Sequence, residues 1–330
     1  MRVGRRARRA AARSAPVLLA FAVGCAPLAV LSRSVTLSPD GATRVGPLEY
    51  RGGVTLASGD RRFGGLSAIV VSRDGRLLTA VTDEGNWITA RLAYDGRGWL
   101  ASVDRTQVGP LRDVTGRALQ GKVEQDAEAL TELPDGSFVV AFERRHRLLR
   151  YPVTHQPLRG VPTPLDPPPG LAGAPPNEGV EALTTLSNGR LFALTENLAV
   201  EGGVRGWTGG ASGWKPFAFR VSGLPRPSGS ACLPSGDVVV LVRGYSPATG
   251  VVVRLELLRT ADLEHGGTVA GYLLAVLKAP LTVDNFEGIA AREGTDGEVL
   301  LYLVSDDNFS RSQRTLLMMF ALRLPPGDAE

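Results

Sequence analysis

Short hydrophobic runs alternate with turn dipeptides from Pro47 almost to the end of the chain. Runs of this length, bounded by turn residues, predict β-strands joined as hairpins. The dipeptides tolerate the positive φ that a tight hairpin requires. They are Asp74-Gly75, Asp135-Gly136, Asn188-Gly189, Ser235-Gly236 and Asp296-Gly297.

The hairpins repeat in a nearly fixed register. A Ser or Glu stands seven residues before each of the first four turns and nine residues before the fifth, namely Ser67, Glu128, Glu181, Ser228 and Glu287. The intervals between these positions are 61, 53, 47 and 59 residues. Repeats of this length are typical of the four-stranded blades of a β-propeller. The pattern therefore predicts an all-β protein, a β-propeller of five or six blades, with room for a sixth in 92–123 or 202–224.

One domain accounts for most of the chain. We predict that the propeller spans residues 46–325 and that strands at 48–56 and 316–324 pair to close the ring. The proline-rich stretch 152–176 is interpreted as a loop insertion within this domain. Residues 32–45 are predicted to be a polar tether and residues 326–330 a tail.

The first 31 residues have the pattern of a targeting segment. Six arginines lie within the first thirteen residues, ahead of an apolar run from Pro16 to Leu31. A basic head and a short apolar run are typical of an export signal. The run is shorter than the ~20 residues that span a bilayer comfortably. Gly24-Cys25 resembles the end of a lipoprotein signal, so a lipid anchor at Cys25, a cleaved signal and an uncleaved anchor all stay open.

The charge distribution and the cysteine content limit the classes of partner and of metal site that the sequence predicts. The chain carries a net charge of +4, but the arginine-rich head supplies it and the remainder is mildly acidic. This distribution predicts no nucleic-acid surface and membrane contact only through the N-terminal segment. Cys25 and Cys232 are the two cysteines, so the exported domain has neither a disulfide framework nor a cysteine metal site. We expect a periplasmic or envelope-anchored protein.

Acidic residues recur at the starts of the repeats and after the second strands, where a propeller would bring them together near its axis. Clustered carboxylates repel one another and need cations or protons. Oxygen ligands suit calcium or magnesium better than zinc. The candidate metal ligands are Asp83, Asp126, Glu128, Glu143, Glu181, Glu196, Asp284, Glu287, Asp306 and Asp307. Arg144, Arg145 and Arg243 are candidates for phosphate contacts, because guanidinium groups bind phosphate in a bidentate manner.

Two other uses of the same acids stay open. They can form a ring of ion pairs with the nearby arginines, or they can bind an organic ligand. Other hydrolytic chemistry has little support, because the chain has no Gly-x-Ser-x-Gly or His-Glu-x-x-His motif. With three histidines in the chain, few acid–base triads can be built.

The repeat segments resemble the bacterial phytase-like family, often labelled "esterase-like activity of phytase", over residues 46–325. The segments that carry the resemblance are Gly64–Ala68, Asp126–Leu130, Ser137–Glu143, Asn177–Leu183, Asp284–Ala290 and Ser305–Phe309. It implies a β-propeller that holds calcium ions through carboxylates at one face, where the ions bind phosphate and water. This chain departs from the family pattern in its fourth repeat, where Ser228 replaces an acid and Val242 precedes Arg243. That repeat is predicted to contribute no metal ligand.

Two functions follow as hypotheses. The first is an exported, calcium-dependent phosphoesterase or related esterase that acts on a small phosphate ester or another ester. The second is a non-catalytic envelope propeller that binds a ligand or a protein partner. A shared fold does not decide between them.

Overall fold

The computed structural model describes residues 27–323 apart from positions 222, 224 and 296. The predicted signal up to residue 26, with Cys25, and the predicted tail lie outside the described residues. Within them, five sheets surround one axis, and their innermost strands pack side by side in a closed ring. The part of the chain that the structure describes has no helix long and apolar enough to cross a membrane.

The first half of the chain forms two blades. Three strands precede the first complete blade: β1 (Leu31–Ser34), β2 (Arg44–Val45) and β3 (Leu48–Ala57). Blade one consists of β4 (Leu66–Val71), β5 (Leu77–Thr82), β6 (Asn86–Tyr94) and β7 (Leu100–Pro110). The short helix α1 (Lys122–Gln125) leads into blade two, formed by β8 (Ala127–Glu132), β9 (Phe138–Phe142), β10 (Arg147–Tyr151) and β11 (Thr163–Leu165).

The second half forms three more blades. After a 3-10 turn at Leu171–Gly173, blade three consists of β12 (Val180–Thr185), β13 (Leu191–Val200), β14 (Gly203–Gly210) and β15 (Gly213–Phe219). Next along the chain come β16 (Arg226–Cys232), β17 (Val238–Ser246), β18 (Gly250–Leu258), α2 (Thr260–His265), β19 (Gly267–Val269) and β20 (Tyr272–Lys278). Strands β16, β17, β18 and β20 form blade four, while β19 adds to blade three in parallel with β15. Blade five contains β21 (Phe286–Glu293), β22 (Val299–Ser305) and β23 (Thr315–Leu322), completed by β3, β1 and β2.

Blade five joins the two ends of the chain. Strand β3 pairs antiparallel with β23, with Leu48 opposite Leu322 and Leu56 opposite Thr315. The predicted pairing is thus confirmed over the described residues. The number of blades is five, because the two long stretches between repeats supply outer strands of blades one and three instead of a sixth blade.

The stretch predicted to be a polar tether, 32–45, is instead part of blade five. The backbone of β1 pairs with the outer edge of β3, and β2 pairs with the start of the same strand. Leu37 retains 1% of its exposure and packs in the core between blades four and five. The prediction was wrong because three apolar side chains, Val35, Leu37 and Val45, pack a largely polar segment against this core.

We therefore expect Leu37→Ala to lower the free energy of unfolding by about 3 kcal/mol, since it removes a buried leucine and leaves a cavity. Leu31→Ala is the matched control, because Leu31 in β1 is 54% exposed and should change stability little. Denaturant unfolding measures both. Equal, small effects would show that residues 32–45 do not stabilise the propeller.

Candidate functional site

Each innermost strand carries a β-bulge at the same repeat position. Strand pairing skips one residue in every blade, and the skipped residues, the bulge ring, are Ser67, Glu128, Glu181, Ser228 and Glu287. A bulge leaves its extra residue out of the ladder and re-aims the side chain. Glu181 and Glu287 line an axial cavity of about 10 Å³, which has room for at most one water. Three of the five bulges therefore place a glutamate at the axis.

A second set of side chains lies where the second strand of each blade stops pairing with the innermost strand, at the last paired residue or one residue beyond it. Antiparallel pairing puts the end of that strand beside the start of the innermost strand, so this set lies at the same face as the bulge ring. Its members, the strand-end ring, are Asp83, Glu143, Glu196, Arg243 and Asp306. Blade four contributes the one cation and no acid to either ring, as its sequence predicted.

Burial raises the pKa of all three glutamates of the bulge ring, and neighbouring carboxylates add to the rise. Burial raises the pKa of Glu128 well above its ordinary range, and the charges of Glu287 and Glu143 raise it further. Burial followed by the charges of Glu128 and Glu143 does the same for Glu181. Burial and Asp306 raise the pKa of Glu287 to about 8, although Arg243 opposes the shift.

Glu143 connects blades two and three. Its side chain is buried, with 3% exposure, and its Oε1 accepts a hydrogen bond from the backbone N–H of Gly179. The carboxyl group of Glu181 acts on it as well, and a proton held between the two carboxyl groups lowers the pKa of Glu143. Burial raises the pKa of Glu143 to about 7 despite both effects, and the charge of Asp126 adds to the rise.

One oxygen each from Asp126, Glu128 and Glu143 lies within 4.8 Å of the others, a grouping that could hold a metal ion. Both oxygens of Asp126 are already occupied, however. Oδ1 lies 2.6 Å from Nζ of Lys122 and Oδ2 lies 2.6 Å from Nε of Arg144. Asp126 therefore fixes two cations beside the cluster, which leaves Glu128 and Glu143 as the members better placed to bind an ion.

Lys122 is the functional residue that the sequence analysis missed. Its Nζ also lies 2.8 Å from Oδ2 of Asp83, so it bridges blades one and two. The other oxygen of Asp83, Oδ1, is buried and has no hydrogen-bond partner among the described residues. The sequence did contain one signal for this contact. Lys122 precedes Asp126 by four residues, a spacing that brings two side chains together on one side of a helix.

Blade five uses its acids in different ways. Burial raises the pKa of Asp306 to about 7, and Asp83 and Asp307 add to the rise while the N–H of Asn308 opposes it. Asp307 instead connects two backbone segments, because its Oδ1 accepts hydrogen bonds from the N–H groups of Gly65 and Phe309. Asp284 lies 3.2 Å from Nε of Arg314 and has no contact with either ring among the described residues.

The three arginines predicted to bind phosphate occupy different places. Nη2 of Arg243 lies 3.3 Å from Oε1 of Glu287, and its buried Nε lacks a hydrogen-bond partner in the described part of the chain. Arg144 pairs with Asp126 at the edge of the cluster. Arg145 pairs with Glu124 and its side chain is 67% exposed, so the structure does not bring it into the cluster. Arg243 is the arginine that the fold places at the axis.

Negative charge exceeds positive charge in this cluster. The two rings and Asp126 contain eight carboxyl groups. Lys122, Arg144 and Arg243 contact members of the set, and Arg226 lies near Glu196. Carboxyl groups in such numbers hold protons or bind a cation. Their hard oxygen atoms fit calcium or magnesium.

A family model described as "Phytase-like: Esterase-like activity of phytase" matches residues 61–309. The match covers all five positions of the bulge ring and all five of the strand-end ring. No curated protein matches the sequence.

Several solved structures are similar to this chain at low sequence identity. An inactive virginiamycin B lyase from Staphylococcus aureus is 12% identical, with 91% of this chain and 82% of that chain covered and a TM-score of 0.42. A putative gluconolactonase is 12% identical, with coverage of 90% and 96% and a TM-score of 0.43. A protein of unknown function from Dyadobacter fermentans is 14% identical, with coverage of 89% and 91% and a TM-score of 0.42.

Proposed function

This chain belongs to the phytase-like family, described as having the esterase-like activity of phytase, and from that premise we propose that it is a calcium-dependent hydrolase of phosphate esters. The observation that carries the proposal is the bulge that turns a glutamate to the axis in three of five blades. A bulge interrupts the hydrogen bonds between two strands, which is unfavourable. Because all five blades have a bulge at the same repeat position, we infer that the side chains at these positions have a function. Export to the envelope, with Cys25 as the lipidation candidate, is proposed from the basic head and apolar run.

Glu128, Glu143 and Glu181 are the residues that would hold the cation. Glu128 and Glu143 have oxygens within 4.8 Å of each other, and Glu181 lies close enough to Glu143 to affect its pKa. Loss of the shared proton frees oxygen atoms on both of these carboxyl groups. A bound calcium ion would neutralise the cluster, bind a phosphate oxygen and lower the pKa of a coordinated water.

Arg243 and Glu287 are placed to act on the substrate. The guanidinium of Arg243 has an unused Nε–H beside the cluster and suits a phosphate oxygen. The pKa of Glu287, about 8, keeps its carboxyl group protonated near neutral pH. A protonated carboxyl group at this position can donate to the leaving alkoxide, which is the role of a general acid.

The test is hydrolysis of p-nitrophenyl phosphate by the wild type in calcium and in chelator. We expect activity in calcium only. Glu287→Gln should lower kcat by about 100-fold or more for an alkyl phosphate such as glycerol phosphate, whose alkoxide leaving group needs a proton, and by less for p-nitrophenyl phosphate, whose phenolate leaves without one. Glu293→Gln is the matched control, because Glu293 lies at the far end of the same strand, β21, and is exposed.

Activity that survives chelator, or an equal loss in both variants, would contradict the proposal. Cleavage of p-nitrophenyl acetate but not of p-nitrophenyl phosphate would show that the protein is a hydrolase of carboxylic esters and not of phosphate esters.

The non-catalytic alternative is favoured by blade four. Ser228 and Arg243 interrupt the acid rings there, and the hydroxyl of Ser228 donates to the carbonyl of Phe286 at 3.0 Å. A binding propeller would turn over neither ester, and its melting temperature would not depend on calcium. Calcium titration beside the two ester assays separates the alternatives.

A further inference from the structure

Phe309 is an exposed aromatic residue at the rim of the carboxylate cluster. Its side chain is 46% exposed, whereas every other described phenylalanine is buried. It follows Asp306 and Asp307 in the loop between β22 and β23, at the same face as both rings. A single exposed apolar side chain is common on protein surfaces, so its backbone and neighbours decide whether it has a use.

The backbone of Phe309 is held in an unfavourable conformation. Asn308 and Phe309 have φ values of 47° and 49°, in the left-handed region, which costs a bulky L-residue free energy. Hydrogen bonds maintain this conformation, because Asp306 accepts from the N–H of Asn308 at 2.7 Å and Asp307 accepts from that of Phe309 at 3.1 Å. Such outliers concentrate at ligand sites, where the surrounding structure determines them.

Two glycines make room for the aromatic ring. A Cβ atom at Gly64 would lie 2.8 Å from Cε1 of Phe309, and one at Gly65 would lie 2.7 Å from Cε2. The ring therefore rests directly on the Gly64-Gly65 backbone. A Cβ at Gly65 would also lie 2.1 Å from Oδ1 of Asp83, so the same glycine separates the ring from a carboxylate of the strand-end ring.

We propose that Phe309 is the specificity-determining contact for the organic part of the substrate, and that the site selects phosphate esters of aromatic or flat apolar alcohols. This inference rests on the proposed function, because Arg243 and the carboxylate cluster would hold the phosphoryl group while the ring stacks on the alcohol part. Stacked aromatic pairs contribute beyond the area they bury. A polyphosphorylated polyol would gain nothing from the ring and would bring further negative charge to an acidic rim.

Non-hydrolysable phosphonates separate recognition from catalysis. We expect calorimetry in calcium to show phenylphosphonate binding about tenfold more tightly than methylphosphonate, the factor that one aromatic contact supplies. Phe309→Ala should abolish this ratio while leaving the affinity for methylphosphonate unchanged. Tyr245→Ala is the control, because Tyr245 is a second exposed aromatic residue, 67% exposed, on the hairpin of blade four. It should leave the ratio intact.

Circular dichroism and melting of Phe309→Ala establish that the variant is folded. Phe309→Leu, which keeps an apolar side chain, should retain part of the preference. Equal wild-type affinity for the two phosphonates, or a ratio that survives Phe309→Ala, would overturn the inference. A preference for phenylphosphonate without hydrolysis of any ester would support the inference and refute the proposed catalysis. Binding of neither phosphonate would overturn both.

Discussion

In chelator, the free energy of unfolding of this propeller falls as the pH rises from about 5 to about 8, and calcium removes most of that fall. The groups responsible are the carboxyl groups with a raised pKa, among them Glu143, Asp306 and Glu287, whose pKa values in the folded protein are about 7, 7 and 8. Unfolded, they return to ordinary values near 4.5 for glutamate and 3.8 for aspartate.

The sign follows from the raised pKa values. Between the unfolded and the folded pKa, the native state binds more protons than the unfolded state, so stability declines as the pH rises. The stabilisation is complete below about pH 4 and is lost as the pH passes through the folded values near 7 and 8. Glu143, with 3% exposure, accounts for about 3 kcal/mol of this loss by itself. Aspartates outside the cluster such as Asp60, whose pKa is about 2, titrate below this range.

Calcium reverses the trend because it competes with protons for the same oxygens. It binds deprotonated carboxylates, so its contribution to stability grows as the pH rises. Thermal melts at pH 5 and pH 8, each in calcium and in chelator, measure both effects.

Glu143→Gln should flatten the profile in chelator and weaken the response to calcium, while Glu293→Gln should change neither. A wild-type profile that is flat in chelator would show that the folded protein neutralises the cluster without protons. An unchanged melt on adding calcium would favour the binding propeller over the hydrolase.

The register of the repeats was predictable from the sequence, and so was much of the candidate site. Glu128, Glu181 and Glu287 stand at fixed distances before a turn, and such regularity places side chains at equivalent points of equivalent blades. The bulges themselves were not visible, because a skipped residue depends on the pairing of two strands. The replacement of an acid by Ser228 in blade four was visible in the sequence, and blade four contributes no acid to either ring.

The role of each acid was less predictable, because it depends on residues far away in the sequence. Asp307 holds the N–H of Gly65, 242 positions earlier, and Thr315 donates to its other oxygen at 3.0 Å. Asp284 pairs with Arg314 from the following loop. A strand-end aspartate therefore looks the same in sequence whether it faces the axis or fixes a loop. The polar composition of 32–45 led to the wrong prediction of a tether for a similar reason. The burial of Leu37 holds this segment against the core, although most of its neighbours are polar.

Lys122→Met should be the most destabilising substitution among the cations of this cluster. Burial alone would lower the pKa of Lys122, yet its contacts with Asp126 and Asp83 outweigh that effect and raise it. Removing the ammonium group leaves Asp126, 3% exposed, with one cation, and leaves Asp83 without its ion pair. Lys122 is 38% exposed, so solvent reduces the penalty, and we expect a loss of about 2 kcal/mol at pH 8 in chelator.

Arg145→Met is the matched control for Lys122→Met. Its partner Glu124 is partly exposed, and Arg145 itself is 67% exposed, so its loss should change stability by less than about 0.5 kcal/mol. Adding Asp83→Asn to Lys122→Met should recover part of the lost stability, because it removes one of the two carboxylates left without the ammonium group. Denaturant unfolding of the single and double variants gives the coupling between the two residues. Simple additivity would show that Lys122 acts on Asp126 alone, and no loss in the single variant would show that water or Arg144 suffices to neutralise the blade interface.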